Sequence, residues 1–393
     1  MPHRSGRLFL LMLLLFLGGA PLALASPPAP KLCPLRPELE KALHHFQELA
    51  ARGEWPKVAA GATLREGEHG ERVAQLRARL AASGELPAEA AQGDRFDAAL
   101  AEALRKFQAR HGLNPDGAAG KSTVAALNVS IAERVRQLEV NLERCQPLPQ
   151  MLEPRHILVN IADFSLNLYE DGKPALSMPV IVGRTYRQTP VLSSIISTII
   201  LNPPWSVPDT IARKDILDHI RKEPGYLRKH NFRVYRGWGK GGEEIDPDSV
   251  EWSKLSGRMP YRFRQEPGAV NALGRIKFQF PNEYDVYLHD TPSRQLFSRE
   301  SRTFSSGCIR VGKPLDLATH LLKGSKLGEL AALNAAIASG KTQQVPIPAP
   351  IPVHVVYMTA WVDGDGLVQF RSDVYGRDGQ AAMATTDRQM ARR

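Results

Sequence analysis

Beyond its N-terminus the chain has no apolar segment approaching the roughly 18 residues that cross a bilayer, so no membrane span is expected after it. It has no Lys/Arg block with interleaved aromatics, and nucleic acid is not an expected partner. No His/Cys/Asp cluster has metal-ligand spacing, and no Gly-rich loop follows a strand to cradle phosphate. Neither a metal nor another cofactor is therefore expected. No βαβ alternation runs through the second half, which argues for a mainly antiparallel sheet or a barrel-like sandwich. Cysteine is scarce, with 3 in 393 residues. An odd number leaves one thiol over after pairing.

The N-terminus carries a targeting pattern. Arg4 and Arg7 form a basic region, Leu8 to Leu17 is unbroken and apolar, and Ala23-Leu24-Ala25 is a small-residue cleavage site. Residues 1–25 are expected to be a signal peptide cut before Ser26; a retained signal anchor is the alternative. No Cys follows the cut, which disfavours lipid modification. The destination is then an oxidising compartment, the periplasm. There Cys33 and Cys145 can form a disulfide or remain as two thiols, with Cys308 left free in either case. Net charge is +10 for the whole chain, and about +8 without Arg4 and Arg7. A basic exported protein suits an anionic polymer such as the cell wall, or an acidic membrane face; the charge also serves plain solubility.

The length and ordinary composition allow two domains. Residues 26–36 read as a Pro-rich leader. Residues 37–147 read as helical, with apolar stripes at Leu39, Leu43, Phe46 and Leu49, then Val73, Leu76 and Leu80, then Phe96, Leu100, Leu104 and Phe107. Ile131, Val135, Leu138 and Leu142 make one more. From His156 the period changes to strands: Ile157, Val159 and Ile161, then Ala175 to Val182, Ile195 to Leu201, Arg275 to Phe280 and Tyr284 to His289. Val353 to Val362 and Leu367 to Tyr375 read as a closing hairpin. About 208–271 is the least strand-like stretch, helical near Asp209 to Arg221. Residues 377–393 have little apolar content and read as a flexible tail.

The chemistry-bearing residues lie at His289-Asp290-Thr291-Pro292 and Phe304-Ser305-Ser306-Gly307-Cys308-Ile309-Arg310-Val311. A thiol among small residues with one nearby upstream histidine suits a Cys/His nucleophile site, with the imidazole taking the thiol proton. Amides of Ser306, Gly307 and Cys308 are candidates to face an oxyanion. The same residues also suit a buried cysteine near an unrelated histidine. On a strand Tyr287 and His289 share a face and Asp290 points away, so a backbone carbonyl is a candidate to orient the imidazole. Tyr287 either holds substrate or fills the core. Arg310 emerges on the side of Cys308, to lower the thiol pKa, grip a carboxylate or make an ion pair under the loop. Arg302 and Arg275 are weaker candidates of the same kind.

This segment resembles the motif of the YkuD-type L,D-transpeptidases, above all the large-lid branch, which reads His-Asp-Thr-Pro and then Phe-Ser-Ser-Gly-Cys-x-Arg-Val. Phe297 and Arg302 match as well, and the resemblance extends from about Trp55 to about Gly376. Many members read Ser-His-Gly-Cys; here Ser306 replaces that second histidine, which leaves His289 as the expected base. Asn202 to Pro208 resembles the family's Asn-Pro-x-Trp-x-x-Pro element, placing Trp205 at the substrate, and 208–271 resembles its lid. Residues 71–128, with Leu76-Arg77-Ala78-Arg79-Leu80, Phe107 to Leu113 and Asp116-Gly117, resemble a type-1 peptidoglycan-binding domain, whose motif residues also suit a packed core. The resemblance implies a helical domain followed by a mainly antiparallel β-sandwich or barrel-like catalytic domain over 155–376 with a helical lid insertion. It implies acyl transfer on peptidoglycan stem peptides, release of a terminal D-Ala and a 3-3 cross-link. Carbapenem-type β-lactams are implied inhibitors, and glycan is an implied ligand of the helical domain. L,D-carboxypeptidase or cross-link hydrolase activity at the same site, a silent wall-binding protein, and a general secreted cysteine protease are the alternatives.

Overall fold

The computed structural model describes residues 36–145, 152–238, 241–255 and 259–379. The expected signal peptide, nearly all of the leader, Cys33 and most of the tail lie outside the described residues. No helix among them is long and apolar enough to cross a membrane.

Five helices come first: α1 (Arg36–Ala51), α2 (Glu71–Ala82), α3 (Ala98–Arg110), α4 (Lys121–Leu127) and α5 (Ile131–Cys145). Their starts are legible in side chains. Asp97 accepts from Leu100 N at 2.8 Å at the head of α3. Ser130 and Glu133 form a reciprocal capping box at α5, with Ser130 N donating to Glu133 and Glu133 N to Ser130 Oγ. Leu76, Leu80, Leu100, Leu104, Phe107 and Leu127 pack into one core. Phe96, expected on the helical stripe, precedes α3 and bonds through its backbone to Gly67 and Glu68, yet it is fully buried. Gln108 is buried and holds the Asp116-Gly117 turn, donating to Asp116 and Ala118 O and accepting from Gly117 N.

The second half is a closed sheet. Its strands are β1 (His156–Asn160), β2 (Ser165–Glu170), β3 (Lys173–Gly183), β4 (Leu192–Leu201), β9 (Ile276–Gln279), β10 (Leu288–His289), β11 (Thr303–Ser305), β12 (Ile309–Val311) and β13 (Gln343–Val356). The order is β11-β3-β12-β10-β9-β4-β13-β1-β2, and β2 pairs back with β3, so eight of the strands close on themselves. Most pairs are antiparallel; β1–β13, β10–β12 and β11–β3 are parallel. Inward residues of alternating strands fill the core, among them Ile157, Val159, Leu166, Val180, Ile199, Phe278 and Val353. Helices α9 (Pro314–Leu321) and α10 (Leu330–Ala338) add Leu317, Leu321 and Leu333 to it.

Two expectations need correction here. The strand expected over Tyr284 to His289 shrinks to the two residues of β10, because Asn282 takes Tyr284 N, Val286 N and Val286 O into a local turn. The lid insertion is not simply helical. It holds α6 (Asp209–Ile211), a π turn (Ala212–Ile216), α7 (Leu217–Lys222) and α8 (Tyr226–Lys229), together with a sheet ordered β5-β8-β6-β7. Those strands are β5 (Trp205–Ser206), β6 (Phe232–Arg236), β7 (Glu244–Ile245) and β8 (Tyr261–Gln265). Val207, Ile216, Leu217, Phe232, Val234 and Phe263 form a core of its own.

The closing hairpin is β14 (Ala360–Val362) with β15 (Val368–Phe370). It packs against α1 and α5, burying Phe370, Phe46, Leu138 and Cys145 together. His111 stacks against Phe107, at 3.8 Å between ring centroids, and against Phe370. The helical part and the barrel thus share a core at this hairpin.

Candidate active site

Strand register assembles the site. β10 lies parallel to β12, with His289 opposite Arg310, and antiparallel to β9, with His289 opposite Lys277. Arg310, His289 and Lys277 therefore form a row across three adjacent strands. Ile309 N donates to Tyr287 O at 3.1 Å, which sets Cys308 beside Tyr287. The Tyr287 and His289 rings meet edge-on, 5.7 Å between centroids. Lys277 Nζ lies 3.8 Å from the centre of the Tyr287 ring.

The His289 imidazole is 4% exposed. Its Nδ1 lies 2.6 Å from the carbonyl oxygen of Asp290. A carbonyl only accepts, so Nδ1 carries the proton and Nε2 is left as the acceptor. Burial lowers its pKa to about 3, helped by the Arg310 and Lys277 charges against the opposing carbonyls of Asp290 and Leu273. The Asp290 carboxylate turns elsewhere, accepting from Arg275 N at 2.9 Å and from Arg294. No hydrogen bond joins His289 to Cys308; catalytic hydrogen bonds often tighten only around bound substrate.

Burial pushes the Cys308 thiol up, while the amide and phenol of Tyr287 and the charges of Lys277 and Arg310 favour the thiolate. Burial and the neighbouring thiol push the Tyr287 phenol far above its usual range, and the Trp205 indole acts on the same phenol in the other direction. Trp205, Tyr287 and Cys308 are thus brought together.

The loop before Cys308 is held tightly. Ser305 Oγ donates to Cys308 O at 2.5 Å and accepts from Gly307 N at 3.2 Å. The Gly307 amide, expected at the oxyanion, is therefore taken up by Ser305. The amides of Ser306 and Cys308 have no acceptor among the described residues. Gly307 has φ +116°, which favours glycine. Its carbonyl accepts from Thr189 Oγ1 at 2.8 Å, and Thr189 Oγ1 accepts from Gly183 N at 2.9 Å. Thr189 N donates to the Tyr375 hydroxyl, which donates to Gly183 O. In a trans peptide the carbonyl and the next N–H point in opposite directions, so fixing Gly307 O aims the Cys308 amide.

The insertion reaches this loop through Asp215, which pairs with both Arg187 and Arg184. Asp215 lies in the π turn, and Arg187 Nη1 donates to Ser306 Oγ at 2.9 Å. Arg302 lies elsewhere, bonded to the carbonyls of Val180, Phe164 and Arg299. Arg275 lines a cavity of about 510 Å³ beside Asp290, with Arg294, Lys313 and Asn334; neither Cys308 nor His289 borders it. Cys145 is disulfide-bonded and Cys308 is free. No group of described His, Cys, Asp or Glu residues is placed to hold a metal ion.

Lys277 and Thr189 escaped the sequence reading. Lys277 has one signal, a charge between Ile276 and Phe278 on a strand. Thr189 has none, because its partner Gly307 lies 118 residues away.

Fold and site define a multidomain α+β protein: a helical unit followed by a barrel-like sheet with a thiol and an imidazole on adjoining strands. Residues 154–329 match the family described as the YkuD L,D-transpeptidase catalytic domain, and residues 69–127 match a "putative peptidoglycan binding domain". The chain carries both: a YkuD-type L,D-transpeptidase catalytic domain with a peptidoglycan-binding-type domain N-terminal to it. A Haemophilus influenzae protein named "Putative L,D-transpeptidase" is 38% identical over 249 residues, covering 63% of this chain and 49% of that relative. The chain thus matches about half of that relative's length. An Aeromonas hydrophila protein named "General secretion pathway protein A" is 48% identical over 50 residues, 13% of this chain and 9% of its own. Among solved structures, an L,D-transpeptidase from Stackebrandtia nassauensis is 16% identical, covering 76% of this chain and 96% of its own, with a TM-score of 0.27. L,D-transpeptidase 3 from Mycobacterium tuberculosis, with a faropenem-derived adduct, is 13% identical over 52% of this chain and 60% of its own, at a TM-score of 0.26. Similarity at that level carries no argument here.

Proposed function

We propose that the protein is a peptidoglycan L,D-transpeptidase with Cys308 as nucleophile and His289 as general base and then acid. The observation that carries this is the 2.6 Å contact of His289 Nδ1 with Asp290 O, which makes Nε2 the acceptor nitrogen, on the strand beside the Cys308 loop. His289 takes the thiol proton, the sulfur attacks the carbonyl of the L-centre, and the amides of Ser306 and Cys308 receive the oxyanion. The proton passes to the leaving amine and D-Ala departs, leaving a thioester. The side-chain amine of a second stem then resolves it to a 3-3 cross-link. Tyr287 and Trp205 line the acyl side, and Arg310 receives a carboxylate. Carbapenem-type β-lactams acylate the same thiol. The helical domain contributes wall glycan binding, and the protein works in the periplasm after loss of residues 1–25.

The test is the product spectrum of the full-length mature protein on purified tetrapeptide wall fragments, read by mass spectrometry. Dimers with D-Ala release are expected. Shortened monomers alone would replace transfer by carboxypeptidase activity. Cys308→Ala and His289→Ala are each expected to lose turnover by several orders of magnitude. Normal turnover by Cys308→Ala would end the proposal.

A further inference from the structure

Two cations flank the His289 imidazole with no ion-pair partner within reach among the described residues. The Arg310 Nε is buried with no hydrogen-bond partner, and its guanidinium makes no ion pair among the described residues. Lys277, on the other side of the row, is mostly buried; Asp285 acts on it only at a distance and no ion pair joins them. A charge withdrawn from water without a hydrogen-bonded partner is costly. Such an arrangement persists in a folded site when an anion completes it. Both charges act on the Cys308 sulfur; a substrate anion that completes the row alongside the thiolate lies next to that sulfur.

We propose that Lys277 and Arg310 form the subsite for the free carboxylate on the leaving residue of the scissile amide. This rests on the acyl-transfer reading above and adds which substrates enter. Covalent geometry fits. The carboxylate carbon of a leaving residue is three bonds from the attacked carbonyl carbon, under about 4 Å away, and adjacent strands are about 4.8 Å apart. A carboxylate held between the two cations sets the leaving nitrogen over the imidazole that must protonate it. Amides without a carboxylate on the leaving side gain nothing from the row, so internal bonds of ordinary peptides are poor substrates. Lys277 is thus a specificity-determining residue for a terminal, acidic leaving group.

Binding separates this from catalysis. Full-length mature Cys308→Ala protein is titrated calorimetrically with a tetrapeptide stem ending in a free D-Ala carboxylate, and with the same stem ending in a carboxamide. The acid is expected to bind about tenfold or more tighter, as for a charge-assisted contact. Adding Lys277→Met should collapse that preference to within about twofold, and adding Lys277→Arg should restore most of it. Thermal melts of the variants confirm that each is folded. Equal affinity for acid and amide overturns the subsite. So does a Lys277→Met variant that weakens both stems by the same factor. If the acid preference is present but the wild-type enzyme releases no D-Ala, the subsite stands and the acyl-transfer reading falls.

Discussion

Replacing Thr189 with Val removes one hydroxyl and leaves the shape of the side chain. Thr189 is fully buried, and its Oγ1 donates to Gly307 O at 2.8 Å and accepts from Gly183 N at 2.9 Å. The substitution strands both backbone groups without solvent. Each unsatisfied buried group costs about 1–3 kcal/mol, and the added methyl returns about 0.8 kcal/mol. A net loss of about 1–5 kcal/mol is therefore expected, read as a lower urea midpoint by tryptophan fluorescence. The same change frees the Gly307–Cys308 peptide to rotate. Losing one oxyanion donor costs about 10²–10³ in kcat, which sets the ceiling for a residue acting through another. The expected signature is a fall in kcat with little change in KM. Thr189→Ser, which keeps the hydroxyl, should recover most of both. A Val variant within about 0.5 kcal/mol of wild type and with unchanged kcat would refute the link between this hydroxyl and the nucleophile loop.

The low pKa of His289, about 3, gives stability a pH dependence. Between pH 6.5 and about 3 the unfolded chain binds a proton that the folded chain refuses, so stability is lost as pH falls through that window, by up to about 5 kcal/mol for this group. Urea midpoints from pH 7 to 4 should fall less steeply for His289→Gln than for wild type; parallel slopes would contradict the burial argument. Asp215→Asn should release Arg187 from the π turn, speed hydrogen exchange over 209–222 and raise KM severalfold, with only about 1 kcal/mol lost because the pair is partly exposed; unchanged exchange would remove the lid's tie to Ser306. Cys145 is disulfide-bonded, and we propose Cys33 as its partner. Denatured, non-reduced mature protein should then titrate one thiol, and reduction should cost about 4–5 kcal/mol in the chain-entropy picture; three thiols would disprove the bond.

Where local pattern and burial agree, the sequence was a sufficient guide. The stripes at Leu76 and Leu80, and at Leu100 and Leu104, became buried helix faces, and the alternation at Ile157 and Val159 became the inner face of β1. Where a contact is long-range, pattern misled. β13 begins at Gln343, although its first ten residues carry Pro346, Pro348, Pro350 and Pro352. Those prolines argue against a strand. They are tolerated because that stretch pairs only with β4, through a register shift between Pro346 and Ile351, and β1 joins only from Val353 onward. The lid's sheet was missed for a related reason: strands of two to five residues have little periodicity to show.

The same division holds at the site. The residues that carry chemistry must be of particular types, a thiol and an imidazole, and their identities and spacing are written locally at Cys308 and His289. Their electrostatic state is not. It depends on which strands lie next to β10, and only the closed sheet places Arg310 on one side of His289 and Lys277 on the other. Likewise, no local signal announces that Thr189 and Tyr375 fix Gly307. The sequence by itself determined the chemical groups and the helices that precede them. Tertiary structure decided what surrounds those groups, because charge, burial and hydrogen bonding act through space between strands that are far apart in the chain.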